Sequence, residues 1–398
     1  MKQWHKNLYA LWLGSFVSSM CYTLVTPFMA LFLKELNVTR GLEAWAGFAV
    51  SASFMTSALM SPVWGSLADR YGRKIMVIRS GIGQGIRYSL QFFVTDHYQL
   101  IALRMINGFF SGMSPACTAL AATNTPEANI PMCLGILQTA LATGGIMGPL
   151  FGGISAQFLG YRATFLGSGA LLFIVTLLIA FTVKETAPRQ RDSRVRIFQD
   201  LKVAMSNPAL RTVLFTATLV QTSLTILQPV LSLQIVKLGQ PGMASLAAGV
   251  VYSMAGIAIV IAAPLWAKRG ERTGFKRVLV TGLTGASLLN VLLSVVRNLY
   301  VFGGLRFCVG LATGGATLSV NAIAAKSVEP GFRGRAFGIL QSFHQTGSWL
   351  GPVLGGLTGS AMGLEATFIL AAAMLLGTSF VAGRSLPSDT PAQVSLPA

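Results

Sequence analysis

Few side chains could move a proton or hold a charge inside the apolar part of this chain. The chain has 398 residues, and its 12 acidic residues all lie in loops or near the ends of apolar runs. One histidine, His344, and three arginines, Arg87, Arg104 and Arg306, lie well inside those runs, more than one and a half helical turns from either end. Histidine exchanges protons near neutral pH, whereas arginine keeps its proton. This set fits proton handling and solute contact. Neither HExxH nor GxxxxGK[ST] occurs, so we expect no metal site and no ATP-dependent enzyme.

The composition is that of a helical membrane protein. Hydrophobic residues make up 53% of the chain and charged residues 11%, and the mean hydropathy is +0.63. Soluble domains carry about 25% charged residues, and disordered chains are far less hydrophobic. The sequence also lacks the short alternating segments that build membrane β-barrels. We therefore expect an all-α polytopic membrane protein.

Twelve apolar runs are each long enough to cross a hydrocarbon core of about 30 Å. The predicted spans are residues 8–33, 44–64, 75–94, 98–122, 132–158, 162–183, 208–236, 243–265, 278–296, 299–325, 336–360 and 364–384. An even number puts both termini on one side, and most of the 30 Lys and Arg residues lie at the termini and in alternate loops. The positive-inside rule makes that side cytoplasmic, with the chain in the inner or plasma membrane. The net charge of +18 is thus expected to meet anionic lipid headgroups rather than nucleic acid.

The two halves of the chain repeat each other. PVWGSLADRYGRK (62–74) aligns with PLWAKRGERTGFK (264–276), and GILQTALATGGIMGPLFGG (135–153) aligns with GILQSFHQTGSWLGPVLGG (338–356). This register predicts two pseudo-symmetric six-helix bundles, related by an axis along the membrane normal. We assign residues 1–183 to the first bundle, 184–206 to a cytoplasmic linker, and 207–398 to the second bundle with a short tail. Two such bundles can enclose a central cavity and rock against each other.

The loop between the second and third predicted spans carries the most specific motif. Its sequence, GSLADRYGRK, resembles the GxxxDRxGRK signature of the major facilitator superfamily. The motif residues are Gly65, Asp69, Arg70, Gly72, Arg73 and Lys74. The resemblance implies a gating loop that latches the outward-open state; a basic loop that only sets topology is the alternative. The second copy has Glu271 in place of the aspartate, and we expect it to latch more weakly.

Arg104, followed by Gly108 and Gly112, resembles the RxxxGxxxG motif of the same family. The resemblance implies a part in proton coupling. An arginine inside a membrane is costly and usually faces a cavity or a partner. The alternative is a structural arginine bonded to backbone carbonyls, and its repetition at Arg306 favours that alternative.

The fifth predicted span resembles the antiporter motif of drug exporters, through Gly144, Gly148, Pro149, Gly152 and Gly153. This resemblance implies exchange of drugs for protons rather than sugar symport. Glycines four residues apart also let helices touch backbone to backbone, and proline bends a helix.

Polar and aromatic residues in the spans expected to line the cavity form a candidate substrate strip. They are Tyr22, Thr26, Asn107, Gln221, Gln228, Asn321, Gln341, His344 and Gln345. Hydrogen bonding between helices is the alternative for each of them. No carboxylate lies at mid-membrane depth, so the proton-coupling candidates are His344 and Asp69, with Arg104 tuning a neighbouring group.

These observations favour a monomeric exporter of small, mostly lipophilic compounds, most similar to the bacterial multidrug branch of the major facilitator superfamily. The proton gradient would supply the energy, and no cofactor is expected. Two alternatives stay open: export of a narrower or anionic solute, which the excess of buried arginine favours, and a membrane sensor that transports nothing.

Overall fold

The computed structural model describes residues 3–185, 197–239, 243–329 and 332–386. Helices account for nearly all of this part of the chain. The first half contains α1 (Gln3–Leu24), α2 (Met29–Glu35), α3 (Leu42–Tyr71), α4 (Arg73–Gln91), α5 (His97–Phe110), α6 (Met113–Asn124), α7 (Ile130–Leu159) and α8 (Tyr161–Thr182). The second half contains α9 (Ile197–Ser206), α10 (Pro208–Thr225), α11 (Gln228–Leu238), α12 (Ala244–Thr273), α13 (Phe275–Val295), α14 (Leu299–Thr313), α15 (Ala316–Lys326), α16 (Arg333–Met362) and α17 (Leu364–Ser385).

Within the described ranges these helices form twelve long rods, because α1–α2, α5–α6, α10–α11 and α14–α15 each make one broken rod. Eight rods are long and apolar enough to cross a membrane on length and composition alone. The other four, covering 42–71, 73–91, 97–124 and 333–362, fall below that measure. For α4 the reason is visible in the sequence, since four basic residues and two glutamines occur in its 19 positions. The all-α membrane fold predicted from the sequence is confirmed.

The breaks inside four rods were not predicted, since each of these spans was expected to be one continuous helix. Pro27 and Pro229 begin new helical segments just after the first and third breaks, where proline is tolerated because its nitrogen needs no partner. At the second break Gly112 has a φ of +103°, which disfavours any residue with a side chain. The first and third breaks are equivalent in the sequence repeat, and so are the second and fourth. One further helix, α9, lies in the segment that was assigned to the cytoplasmic linker.

Two hydrophobic clusters form the core. One is built of buried residues between Leu8 and Val183, and the other of buried residues between Ala204 and Leu386. Across the two halves, α3 packs against α16, and α7 packs against α12. The domain limits 1–183, 184–206 and 207–398 stay a prediction.

The contacts between halves are concentrated at one end of the bundle. We call the end where α1 begins and α17 ends the terminus face, and the other end the far face. Near the far face, a methyl group on Gly153 would lie 2.6 Å from the Ser245 carbonyl oxygen, and one on Gly356 would lie 2.5 Å from the Glu43 carbonyl oxygen. The backbones of the two halves therefore touch there, and only glycine permits that approach.

The same helix faces are open toward the terminus face. An α-helix returns to the same face after 18 residues, or five turns, which span about 27 Å. Gly135 and Gly338 lie 18 residues before Gly153 and Gly356, and no described atom would lie within 4 Å of a methyl group on either. The two halves thus meet at the far face and diverge toward the terminus face.

Valine at the touching glycines is expected to destabilise the protein. Gly153→Val and Gly356→Val would push side chains into the opposite backbone, which typically costs about 1–3 kcal/mol. Gly167→Val and Gly377→Val are matched controls in helices, because no described atom lies within 4 Å of their Cβ positions. Thermal unfolding in detergent should show lower midpoints for the first pair only. Equal shifts in all four variants would contradict the tight far-face contact.

Candidate functional site

A chain of hydrogen bonds joins the two halves near the middle of the bundle. The Gln345 side-chain amide donates to the Ser57 hydroxyl at 3.0 Å, and Ser57 shares a 2.9 Å hydrogen bond with Ser111. The Ser111 hydroxyl also donates to the Gly108 carbonyl oxygen at 2.7 Å. Ser57 and Ser111 were not among the predicted site residues. The sequence offered one signal for Ser111, the Ser111-Gly112 pair at the helix break, because a serine there can bind a carbonyl oxygen that the break leaves free.

Arg104 has features of both a structural arginine and an arginine that faces a cavity. Its Nε donates to the Ala49 carbonyl oxygen at 2.9 Å, and the Ser53 hydroxyl donates to the Arg104 carbonyl oxygen at 2.8 Å. The backbone bond was the predicted structural alternative, and it is present. The two terminal nitrogens of Arg104 have no acceptor among the described residues. The residue is 6% exposed, so its free nitrogens are available to a bound molecule or water.

Tyr22 is the most open of the predicted cavity residues in the first half. Its ring is 40% exposed and meets Phe54 edge to face, with 5.9 Å between ring centroids. Arg104 lies within electrostatic range of Tyr22. Asn107 is one turn from Arg104 on α5 and is buried, while Thr26 belongs to the 3₁₀ turn that breaks the first rod. The structure brings Tyr22, Phe54 and Arg104 together as one aromatic and cationic patch.

The predicted cavity residues of the second half divide into two groups. Gln221 is used in packing, since its side-chain amide donates to the Ser348 hydroxyl at 3.0 Å. The backbone carbonyl oxygen of Gln228 accepts from the Tyr252 hydroxyl at 2.8 Å, and the residue is half-buried. Asn321 is half-buried and Gln341 is exposed. These two therefore stay candidates for solute contact, whereas Gln221 follows the interhelical alternative.

His344 is buried in α16, at 8% exposure. Its Nε2 has no hydrogen-bond partner in the described part of the chain. A buried polar atom without a partner is costly, so such atoms in native proteins usually mark a water, a ligand or a proton-transfer step. The geometry leaves the predicted coupling role of His344 open.

The predicted gating loop is anchored to its own half by an acid that the prediction missed. The side chains of Asp69 and Arg70, and the surroundings of Gly65, lie outside the described residues. Gly72 has a φ of +105°, which explains the glycine of the motif. The Glu185 carboxylate accepts from the backbone N–H groups of Arg73 at 2.8 Å and Lys74 at 3.2 Å. It thereby caps the N-terminus of α4 with a negative charge.

The basic side chains of the loop also bind backbone carbonyls of the first half. Arg73 donates to the Ala119 carbonyl oxygen at 3.0 Å, and Lys74 donates to that of Ala180 at 2.8 Å. The second copy repeats the lysine bond, because Lys276 donates to the Leu386 carbonyl oxygen at 2.7 Å. The described end of the loop, at Arg73 and Lys74, is therefore bound to its own bundle.

The predicted antiporter motif is a packing surface. Methyl groups on Gly144 and Gly148 would lie 2.5 Å from carbonyl oxygens of α1, and one on Gly152 would clash with the Leu24 carbonyl. Gly153 faces α12, and Pro149 lies inside α7. The motif thus packs α7 against α1 of its own bundle. Through Gly153 it also packs α7 against α12 of the other bundle at the far face.

Loss of the Glu185 carboxylate is expected to loosen the start of α4. Glu185→Gln keeps the size but removes the charge that caps the helix, so the free energy of unfolding should fall by about 1 kcal/mol. Glu127→Gln is the control, because Glu127 is an exposed acid at the same end of the bundle. Thermal unfolding measures both variants. A Glu127 variant as destabilised as the Glu185 variant would contradict the capping role.

Comparison with known proteins places this architecture in one family. The protein-family model described as Major Facilitator Superfamily matches residues 11–247 and 213–397 of this chain. "Multidrug resistance protein MdtG" of Escherichia coli O6:K15:H31 is 32% identical over 396 residues, covering 98% of this chain and 97% of that protein. The match runs through both halves and the segment between them.

Solved structures agree on the fold. A bacterial homologue of the human lysosomal transporter Spinster, in an inward-facing and occupied conformation, superposes with a TM-score of 0.82 at 17% identity and covers 97% of this chain and 98% of its own. A mutant of the nucleoside transporter NupG gives a TM-score of 0.81 at 14% identity, with coverage of 96% and 99%. Together with the repeated six-helix pattern and the motifs above, these matches make the chain a member of the major facilitator superfamily.

Proposed function

We propose that this protein exports small, mostly lipophilic compounds across the cell membrane by alternating access, in exchange for protons. The observation that carries this proposal is the difference between the two ends of the bundle. The two halves touch near the far face, at Gly153 and Gly356, and leave open space near the terminus face, at Gly135 and Gly338. Alternating access requires such a state, which is open at one end only, and a second state that is open only at the other end. The multidrug resistance named for the Escherichia coli relative supports drugs as the substrate class.

The open end belongs on the side where an exporter collects its substrate. The excess of basic residues at the termini and alternate loops supports a cytoplasmic terminus face. This conformation is then the inward-facing one, in an inner or plasma membrane. One copy of the chain supplies both bundles, so we propose that a monomer suffices.

The register across the interface indicates how the terminus face closes. α7 and α12 are antiparallel, with Gly153 beside Gly249 and Ile146 beside Gly256, so the same register continues to Gly135 opposite Ala267. For α3 and α16, the contact between Gly47 and Gly356 sets the register in the same way, which puts Gly65 opposite Gly338. The first glycine of the gating motif would thus permit the close approach at the terminus face.

The cavity chemistry suits lipophilic substrates that carry a few polar groups. Tyr22 and Phe54 supply an aromatic surface, and Gln341 and Asn321 supply amides on the opposite half. Binding sites for drug-sized molecules are mostly apolar with a few placed polar groups. Recognition by surface area rather than by a fixed set of hydrogen bonds allows varied ligands.

For proton exchange we propose His344 and Asp69, assisted by Arg104. His344 is buried beside the cavity helices with a free ring nitrogen, so it can gain or lose a proton as the cavity changes its access to water. Asp69 sits in the gating loop, where protonation would change the charge of the latch. Arg104 keeps its own proton and would tune the charge of bound water or substrate.

A second candidate function is export of an anionic solute. Arg104 has two nitrogens without an acceptor in the described ranges, and the Nε of Arg306 in the second half is buried without a described partner. Two cations at equivalent positions of the repeat could hold one anion between the halves. Transport of an organic anion that Arg104→Gln and Arg306→Gln both weaken would favour this candidate.

Efflux from cells tests the proposal directly. Cells that overproduce the protein should accumulate less of a lipophilic fluorescent dye, and a proton uncoupler should abolish the difference. Dye accumulation equal to that of cells without the protein, over a broad panel of compounds, would contradict export. Export that an uncoupler leaves unchanged would contradict proton exchange.

The gating loop should be more sensitive than its second copy. Asp69→Asn is expected to lower efflux at least tenfold at equal expression, because it removes the one acid of the intact motif. Glu271→Gln, the matched change in the degraded copy, should lower efflux less than threefold. Initial rates of dye efflux from energised cells provide the measurement, and equal losses in both variants would refute the assignment of the gate to the first copy.

A further inference from the structure

Trp64 and Trp266 are equivalent in the sequence repeat, but their indole N–H groups have different surroundings in the two halves. In the second half the Trp266 indole N–H donates to the Leu311 carbonyl oxygen at 2.7 Å. At the equivalent place in the first half, the Phe109 carbonyl oxygen accepts instead from Arg79 Nη1 at 3.2 Å. Arg79 also reaches the Ser111 carbonyl oxygen at 3.4 Å, beside the break between α5 and α6. Its counterpart in the second half is Thr281, so this cation is an addition to the first half alone.

Around Arg79, which stands where the second half has threonine, several hydrogen-bond donors have no acceptor among the described residues. The Arg79 guanidinium lies over the Trp64 ring, 3.4 Å from its centroid. Trp64 Nε1 and Arg79 Nε are both buried and have no partner in the described part of the chain. A buried donor without an acceptor is unfavourable.

More unused donors lie two turns farther along α4. Arg87 is 1% exposed, and its Nη1 donates to the Gln91 side-chain oxygen at 3.1 Å. Arg87 Nε, Arg87 Nη2 and Gln91 Nε2 have no partner among the described residues. The second half has leucine at both positions, Leu289 and Leu293. These atoms are buried, so Arg87 acts on its surroundings through its positive charge rather than by direct contact with a ligand.

A groove runs between α4 and α5 past both arginines. It holds a cavity of about 240 Å³ lined by Arg79 and Arg87 and otherwise by apolar residues or glycine. Ile82, Ile86 and Ile106 line it and are each about two-fifths to one-half exposed on the outer surface of the bundle. In a chain that spans the membrane, such side chains face the acyl chains of lipids.

We propose that this groove binds one anionic phospholipid, with an acyl chain along Ile82, Ile86 and Ile106 and the phosphate at the Arg79 guanidinium. Arg79 lies six residues after the start of α4, about 9 Å from its N-terminus, which is within reach of a headgroup at the terminus face. Basic pockets between membrane helices on the cytoplasmic side are suited to anionic headgroups. Arg87 extends the positive potential along the groove and favours an anionic over a zwitterionic lipid.

Bound near the break between α5 and α6, the lipid would brace the segment that carries Gly108, Ser111 and Gly112. Ser111 is also the first-half end of the hydrogen-bond chain to Gln345. Lipid at the groove would therefore act on the mid-bundle contact between halves. This is a lipid site distinct from the central cavity, and it does not depend on which compound is exported.

Nanodiscs of defined composition test the site. The purified full-length protein is placed in phosphatidylcholine discs with increasing phosphatidylglycerol, and spin-labelled lipids report the relative association constant of each. We expect the wild-type protein to prefer phosphatidylglycerol by about fivefold, as one basic residue near the surface provides. Arg79→Thr, which installs the residue of the second half, should bring the preference close to one.

Because Arg79 also binds the helix break, a second variant keeps its charge and fills the groove. Ile86→Trp should abolish the preference while its matched control Leu288→Trp, at the equivalent exposed position of the second half, retains it. Unchanged preference in Ile86→Trp, or equal loss in Leu288→Trp, would overturn the proposal. So would binding of spin-labelled stearate that Ile86→Trp abolishes without any phosphatidylglycerol preference, since a free fatty acid would then be the occupant.

Discussion

Backbone contact between the halves at the far face is the interaction on which the rest of the structure depends. α7 meets α12 at Gly153 and Gly249, and α3 meets α16 at Gly47 and Gly356. In a membrane there is no hydrophobic driving force between helices, so close packing of small residues provides the attraction instead. Each contact lies at one end of a long helix, and a small rotation about it opens or closes the other end. Within the predicted antiporter motif, Gly153 makes this contact between the halves, whereas Gly144, Gly148 and Gly152 pack α7 against α1 of the same half.

The polar groups near the middle of the bundle follow from the cost of burial in lipid. The Gln345–Ser57–Ser111 chain satisfies itself across the halves, and Arg104 gives Nε to a carbonyl while its other nitrogens stay free of described acceptors. Groups that are satisfied within the protein hold this conformation, and groups that are not satisfied invite water, solute or a proton. His344, Arg306 and Arg104 belong to the second kind. The division provides a physical basis for separating scaffold from candidate site.

Much of the fold was predictable because membrane spans and repeats have strong sequence signals. The expected span 162–183 corresponds to Tyr161–Thr182, and 132–158 corresponds to Ile130–Leu159. The broken rods were missed because apolar composition continues through a break, and α3 continues to Tyr71, well past the expected end at residue 64. The partners of the site, such as Ala49 for Arg104 and Glu185 for the gating loop, could not be predicted. They depend on which carbonyl or acid the fold places within hydrogen-bonding distance, and sequence spacing does not contain that information.

Pairs of spin labels across the two ends of the bundle measure reciprocal opening about the glycine contacts. One pair replaces the exposed residues Glu127 and Glu271 at the terminus face, and the other replaces the exposed residues Leu159 and Met243 at the far face. Pulsed electron–electron distances would be recorded in nanodiscs with and without an exported compound. We expect two populations whose weights change together, so that a shorter 127–271 distance accompanies a longer 159–243 distance. Distances that stay single and unchanged at both ends, or that lengthen at both ends together, would contradict it.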